Sequence, residues 1–137
     1  MLRIALAMVA TFLIAGPAAA QTCLHTPGSE TAEQLARRRA ALGAARTINN
    51  IQHNRPGARE KVFLRHDELA SAPFAAKMPA TTPIVLTPDQ DIVPGWRLSL
   101  DAYPGGYWFR ITDTTDPCEF TYISNHSGLI YTAEPLR

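Results

Sequence analysis

The amino-terminal half of the chain has the apolar pattern of one long α-helix. Thr31 and Gln34 have the spacing of a capping box, in which two side chains satisfy backbone N–H groups left free by the first helical turn. The stretch from there to Gln52 is rich in alanine, leucine and arginine, all good helix formers. Leu35 and Leu42 lie on one side of this helix, and the other apolar residues lie on a different side. These other residues are Ala41, Ala44, Ile48 and Ile51. The pattern predicts a helix from Thr31 to about Gln52, whose buried stripe is either wide or divided between two packing partners.

The carboxy-terminal half changes to the alternation of β-strands. Apolar and polar residues alternate over 96–101 and again over 107–112, with the turn sequence Tyr103–Gly106 between them. A period of two is typical of half-buried strands, so these two runs predict a β-hairpin. Ahead of them, the apolar run 84–86 predicts a short strand.

A second hairpin is predicted near the end of the chain. The runs Phe120–Ile123 and Leu129–Thr132 flank Asn125–Gly128, and Gly128 can adopt the positive φ that such a turn often needs. In the connector between helix and strands, Asp67–Ala70 predicts one or two helical turns. Grouped elements of this kind predict an α+β fold, a long N-terminal helix packed on an antiparallel β-meander of four or five strands.

Residues 1–20 have the composition of a secretory signal peptide. A basic residue near the start precedes an apolar run at 4–14, and Ala18–Ala20 supplies the small residues of a cleavage site. Cleavage before Gln21 predicts an exported protein, periplasmic or extracellular, with residues 21–137 as a single secreted α+β domain. The apolar run is too short to span a bilayer and no second one follows, so no transmembrane segment is expected in the mature chain.

The only two cysteines, Cys23 and Cys118, lie near opposite ends of the mature chain. In an oxidising compartment, one disulfide is the simplest use of two thiols. The alternative is a metal site built on Cys23 and His25, but a lone C-x-H lacks the four ligands of a structural zinc site. We therefore expect a disulfide, and we expect no metal and no cofactor.

Charge is nearly balanced over the chain, with 13 basic residues against 12 acidic ones. This balance argues against a globally basic nucleic-acid binder, so no nucleic-acid partner is expected. The distribution is uneven, because residues 37–65 are strongly basic and residues 66–137 are acidic. The arginines of the predicted helix are Arg37, Arg38, Arg39 and Arg46. Either they complement an acidic sheet, or they form an exposed basic strip that binds an acidic protein, an anionic lipid surface or a cell-wall polymer.

Aromatic residues divide between the two faces of the predicted sheet. Strand alternation places one set toward the helix as core. This set is Tyr107, Phe109, Phe120 and Tyr122. Trp108, with Tyr103 and Tyr131, falls on the other face, where it is a candidate to stack on a sugar or a partner protein, although rim packing is the plainer interpretation.

Motifs for catalysis are lacking in the sequence. It contains no G-x-S-x-G or S-x-x-K nucleophile motif and no phosphate-binding loop. His66 next to Asp67 indicates a solvated surface cluster, since adjacent residues on a helical turn point in different directions. Asp113 and Asp116, near Glu119, are candidate calcium ligands, but their spacing is not that of an EF-hand and a plain turn is favoured. No catalytic residue is therefore predicted.

The order of elements and several short motifs resemble the globular part of type IV pilin-like and pseudopilin-like proteins. The motifs that show the resemblance are Ala40–Asn49, Phe63–Leu69, Gly95–Leu98, Gly106–Phe109 and Ser124–Tyr131. The resemblance implies a long helix across a mostly antiparallel sheet. Members of that family carry a prepilin-peptidase site followed by a long apolar helix, and in this chain no such segment follows Gly16–Ala18. The resemblance therefore implies the fold without the assembly apparatus.

The sequence as a whole favours an exported, non-enzymatic binding or structural protein of the cell envelope with a pilin-like fold. The alternative is a small secreted hydrolase or inhibitor module whose site is built from residues distant in sequence. A concave pocket with His66 or His126 beside carboxylates would favour the enzyme.

Overall fold

The computed structural model describes residues 22–54, 62–71 and 83–134. They form an α+β fold with two helices followed by a five-stranded antiparallel sheet, in the strand order β1-β2-β3-β4-β5. The elements are α1 (Ala32–Asn54), α2 (His66–Ser71), β1 (Asp91–Val93), β2 (Trp96–Tyr103), β3 (Gly106–Asp113), β4 (Thr121–Asn125) and β5 (Ile130–Ala133). The predicted signal peptide lies outside the described residues. Within them, neither helix combines the length and the apolar character needed to cross a membrane.

Helix α1 begins at the predicted capping box. The backbone N–H of Thr31 donates to Gln34 Oε1 at 2.7 Å, and that of Gln34 donates to Thr31 Oγ1 at 3.2 Å. One side of the helix is buried, through Ala41, Ala44, Ala45, Ile48, Asn49, Ile51 and Gln52. Leu42 is half-buried and packs against the core from the side. The buried stripe is therefore wide, and it includes two polar residues.

The sheet is built from the two predicted hairpins. In the first, β2 pairs with β3 from Trp96 opposite Asp113 to Tyr103 opposite Gly106. In the second, β4 pairs with β5, and Gly128 in the connecting turn has a φ of +76°, which favours glycine over any residue with a Cβ atom. Since β3 also pairs with β4, the four strands form a meander.

The strand predicted at residues 84–86 is not found, and the first strand is β1 at Asp91–Val93 instead. The run makes a single backbone hydrogen bond to β1, from Val85 N to Ile92 O at 2.9 Å. The chain then turns between residues 87 and 90, where Asp89 has a φ of +65°. One such bond does not make a ladder, so the apolar run covers the side of β1 without becoming a strand.

The hydrophobic core combines buried residues of α1, of α2 and of the strands. Its largest fully buried apolar side chains are Trp96, Tyr107, Phe109, Ile48, Ile51, Leu69, Ile92 and Ile111. The aromatic residues predicted to face inward are all buried. Along β2 and β3, the residues that alternate with the buried ones lie on the other side of the sheet, which we call the outer face.

A buried glutamine joins the end of α1 to the connector. Gln52 Nε2 donates to Leu64 O at 2.7 Å, and Leu64 N donates to Gln52 Oε1 at 3.0 Å. The side-chain amide thus pairs with the backbone as a neighbouring strand would. It satisfies its own buried polar atoms and fixes residues 62–64 beside the helix.

Candidate functional site

The segment that precedes α1 is fastened to the loop between β3 and β4. The predicted disulfide joins Cys23 to Cys118, with their Cα atoms 5.2 Å apart. Asp116 holds the same segment, since its Oδ1 accepts hydrogen bonds from Leu24 N at 3.0 Å and Cys118 N at 3.1 Å. We call this fastening the N-terminal clasp. It fits an oxidising compartment, in which disulfides persist.

A chain of four ionisable side chains extends from the clasp, and we call it the ion chain. Arg38 donates from Nε and from Nη2 to the two carboxylate oxygens of Glu30, at 2.7 and 2.8 Å. The ring of His25 lies between two carboxylates, with Nδ1 at 2.7 Å from Glu30 Oε1 and Nε2 at 2.8 Å from Asp113 Oδ2. An ionised carboxylate only accepts hydrogen bonds, so a His25 ring with hydrogens on both nitrogens can donate to both carboxylates at once. With the ring in that form, the four groups alternate in charge and sum to zero.

The ion chain is removed from solvent at its centre. The side chains of His25 and Asp113 are 2% and 1% exposed. The His25 ring lies against two aromatic rings, with centroids 4.8 Å away at Phe120 and 5.5 Å away at Trp96. A general base needs a ring nitrogen within reach of a substrate proton. Both nitrogens of His25 are occupied and buried, so this histidine holds structure together and does not catalyse.

The pKa values of both carboxyl groups in the ion chain are lowered. Hydrogen bonding from Arg38 lowers the pKa of Glu30, and it outweighs the opposing effect of burial with help from His25. Burial would raise the pKa of Asp113, but hydrogen bonds from Thr115 and His25 more than compensate. A carboxyl whose pKa is lower folded than unfolded stabilises the fold above its unfolded pKa, and that contribution is lost as pH falls through the folded value.

We expect the protein to lose stability below about pH 4.5, the ordinary pKa of a glutamate. The free energy of unfolding, measured by urea denaturation across a series of pH values, should fall steadily under acid. In the Glu30→Gln variant the slope of this fall should be shallower, because one of the two lowered carboxyl groups is gone. An unchanged slope in that variant would show that the ion chain does not contribute to acid sensitivity.

The two metal sites considered from the sequence are not supported by the geometry. Of the first site, Cys23 is in the disulfide and both ring nitrogens of His25 bond to carboxylates. A different set, Cys23, Asp116 and Cys118, lies close enough to share an ion, but its two sulfur atoms are those of the disulfide. The oxygens of Asp116 accept from three backbone N–H groups, and those of Asp113 accept from Thr115 and His25. Carboxylates occupied in this way stabilise a turn and leave little capacity for calcium.

A second buried polar cluster joins α1 to the sheet. Asn49 Nδ2 donates to Ser124 Oγ at 2.9 Å and to Gly128 O at 3.0 Å. The hydroxyl of Tyr107 donates to Asn49 Oδ1 at 2.8 Å. Burial raises the pKa of Tyr107 to about 12. A neutral, hydrogen-bonded phenol of this kind orients α1 on the sheet and is not poised for proton transfer near neutral pH.

The four helix arginines do not form one strip. Successive helical residues are rotated by about 100°, so Arg37, Arg38 and Arg39 point in three directions. Arg38 turns inward to Glu30, and Arg37 is half-buried, with an Nε that has no hydrogen-bond partner among the described residues. Arg39 and Arg46 are exposed, and no ion pair within the described residues includes either. Of the four arginines, only Arg38 has its charge paired within the described residues.

The histidines singled out for the enzyme alternative do not line a described cavity. The cavity of about 480 Å³ beside the β2–β3 turn is lined by Arg65 and Glu68 but not by His66. Burial lowers the pKa of His66, and its Nε2 is buried without a partner among the described residues. His126 is exposed in the β4–β5 turn. Neither imidazole lines this cavity.

The outer face of the sheet has an exposed aromatic and apolar surface, with Trp108 39% exposed. Trp108 lies opposite Asp101 on β2 and Asn125 on β4. The other large exposed side chains on this face are Tyr103, Ile123 and Tyr131. The predicted placement of Trp108, Tyr103 and Tyr131 away from the helix is confirmed. The exposure of Ile123 on the outer face was not predicted, because it is one apolar residue within an apolar run.

Two shallow depressions adjoin this aromatic surface. Their volumes are about 280 and 200 Å³, and Arg110, Thr112 and Glu119 line both. A guanidinium, a hydroxyl and a carboxylate at one place supply hydrogen-bond donors and acceptors without a large net charge. The outer face therefore combines apolar rings with balanced polar groups.

Comparison with known proteins identifies no relative. No protein-family model matches the chain, and searches of curated proteins and of solved structures likewise yield no match. The resemblance to pilin-like domains is not tested by these comparisons and stays a prediction.

Proposed function

We propose that the protein is an exported, non-enzymatic binding protein of the cell envelope, and that it binds the glycan of a cell-wall polymer through the outer face of its sheet. The observation that supports this most directly is the exposure of Trp108 on the outer face, opposite the polar residues Asp101 and Asn125. The signal-peptide pattern and the disulfide support export. A pilin-like fold is part of the proposal and adds no binding chemistry of its own.

The chemistry of the outer face favours a sugar chain over the other predicted partners. Aromatic rings stack on the apolar faces of sugars, and polar side chains beside them bond the hydroxyl groups. Arg110 and Glu119 line the same depressions, so the local charges offset each other. An anionic lipid surface or an acidic protein would instead favour a surface with excess positive charge.

Retention on insoluble peptidoglycan tests the proposal. The Trp108→Ala variant should bind about tenfold or more weakly, because exposed aromatic anchors of this kind dominate binding energy. Trp108→Phe should bind between the two, since part of the stacking area remains. The protein should stay folded in both variants because Trp108 is partly exposed and outside the core.

Two matched controls separate this surface from the basic helix. Leu129→Ala removes an exposed apolar residue that is not part of the outer-face aromatic surface, and Arg39→Ala removes an exposed charge of α1. Neither should change retention. Loss of binding in Arg39→Ala but not in Trp108→Ala, or retention by vesicles containing phosphatidylglycerol in place of peptidoglycan, would reject the glycan proposal and favour electrostatic docking.

A further inference from the structure

A groove between α1 and the last strand is a second surface, separate from the outer face. It has a volume of about 530 Å³. Its helical wall is Arg38, Leu42 and Arg46, which are four residues apart and so lie on one line of α1. Its other wall includes Ile130 and Thr132 of β5. Leu42 of one wall and Ile130 of the other pack against the core.

The groove has an apolar lining and one unpaired positive charge, that of Arg46, because the charge of Arg38 is already paired with Glu30. Leu42, Tyr122 and Ile130 line it, and Leu129 at its rim is 58% exposed. No acidic residue is among the described residues that line it. Arg46 is exposed and free of ion pairs within the described residues, so its charge is available to a ligand.

Strand β5 offers backbone hydrogen-bonding groups next to this groove. It is the edge of the sheet beyond β4. The other edge, β1, has Val85 N bonded to Ile92 O, whereas no backbone hydrogen bond in the described residues joins β5 to anything except β4. An edge strand with free N–H and C=O groups is a template for an added strand.

The spacing of the helical wall matches that of an extended peptide. Residues four apart on a helix are separated by about 6 Å along its axis. Alternate residues of a β-strand are separated by about 6.8 Å. Helix α1 follows the direction of β4, since Tyr122 bonds to Arg38 O and Ser124 bonds to Asn49. A strand added to β5 would therefore run along the wall.

We propose that this groove binds an extended segment of another protein, which adds to β5 and presents an apolar and an acidic side chain at alternate positions. The acidic side chain faces Arg46, and the apolar one packs on Leu42. Charge complementarity selects this occupant over a second copy of the chain, because the described residues that line the groove include no acidic side chain that a second copy could offer to Arg46. The proposal does not depend on the glycan surface.

Fluorescence anisotropy with a labelled synthetic peptide provides the test. The probe places one valine and one glutamate at alternate positions with intervening threonines, and its control is a peptide of the same composition with the valine and the glutamate adjacent. The alternating peptide should bind more tightly than the scrambled one. Arg46→Glu should weaken its binding about tenfold or more, since reversal of a charge in direct contact removes an attraction and adds a repulsion.

Arg39→Glu is the matched control, because it reverses an equally exposed charge on the same helix outside the groove. It should leave binding within about twofold, and Trp108→Ala should also leave it unchanged. N-methylation of the peptide backbone should abolish binding, since strand addition needs its N–H groups. Equal effects of the two reversals, or undiminished binding of the methylated peptide, would overturn the proposal. So would a dimer, seen by sedimentation without peptide, that the peptide fails to dissociate.

Discussion

Replacement of His25 by leucine should lower the free energy of unfolding by about 3–5 kcal/mol, the cost of leaving a buried charge without its partner. Glu30 and Asp113 would then face an apolar side chain in place of two N–H donors. Asp113 would lose most, because it is almost fully buried. Urea denaturation at neutral pH measures the loss. It would be a large fraction of the roughly 5–15 kcal/mol that stabilises a typical domain.

Two further variants distinguish the ion chain from the mere loss of a side chain. His126→Leu replaces an exposed histidine, and stability should change by no more than about 0.5 kcal/mol. In the double variant His25→Leu with Asp113→Asn, the free energy of unfolding should fall by less than the sum of the decreases in the two single variants. The reason is that the buried charge left without a partner in His25→Leu is removed as well. A His25→Leu variant within about 1 kcal/mol of the parent would refute the role of this residue.

Loss of the Cys23–Cys118 disulfide should cost about 2–5 kcal/mol, either by reduction or by replacement of both cysteines with serine. The bond closes a loop of 95 residues, so its removal frees a long stretch of the unfolded chain. Hydrogen exchange at Leu24 should also accelerate, since that amide bonds to Asp116 within the same clasp. Thermal or urea unfolding with and without reductant gives the first quantity.

The serine double variant serves as its own control for the reductant. Its stability should be the same with and without reducing agent, and both values should match the reduced parent. Two free thiols in the denatured, unreduced parent would contradict the structure, in which every described cysteine is bonded.

Local rules predicted the α+β class and several individual elements. The capping box, both hairpins and the inward aromatics follow from spacing alone, because period and turn chemistry act over a few residues. The strand at 84–86 was wrong and β1 was missed, since a three-residue apolar run satisfies a strand pattern as well as Asp91–Val93 does. Pairing with the neighbouring strand decides which of the two short runs becomes a strand, and the local sequence does not contain that information.

The polar interior was harder to predict. His25 was weighed only as a metal ligand, and Asp113 only as a candidate for calcium, because 88 residues separate them. No sequence pattern announces a contact over that distance. A signal did exist for Asn49 and Gln52, which interrupt the apolar stripe of α1 and so had to find partners once buried. Arg38 differs from the other helix arginines because it pairs with Glu30, a residue that lies outside the helix and was not considered as its partner.

The ion chain also provides a way to recognise distant relatives. Because His25 and Asp113 are hydrogen-bond partners in the interior, a single substitution leaves the other side chain buried without its partner, while a paired substitution does not. Selection should therefore permit His25 and Asp113 to change together and seldom one at a time. A related sequence should keep the whole set, with a histidine two residues after the first cysteine and a carboxylate five residues before the second, or replace both members with apolar residues. Covariation at these two positions would identify homologous sequences even where the overall sequence identity is low.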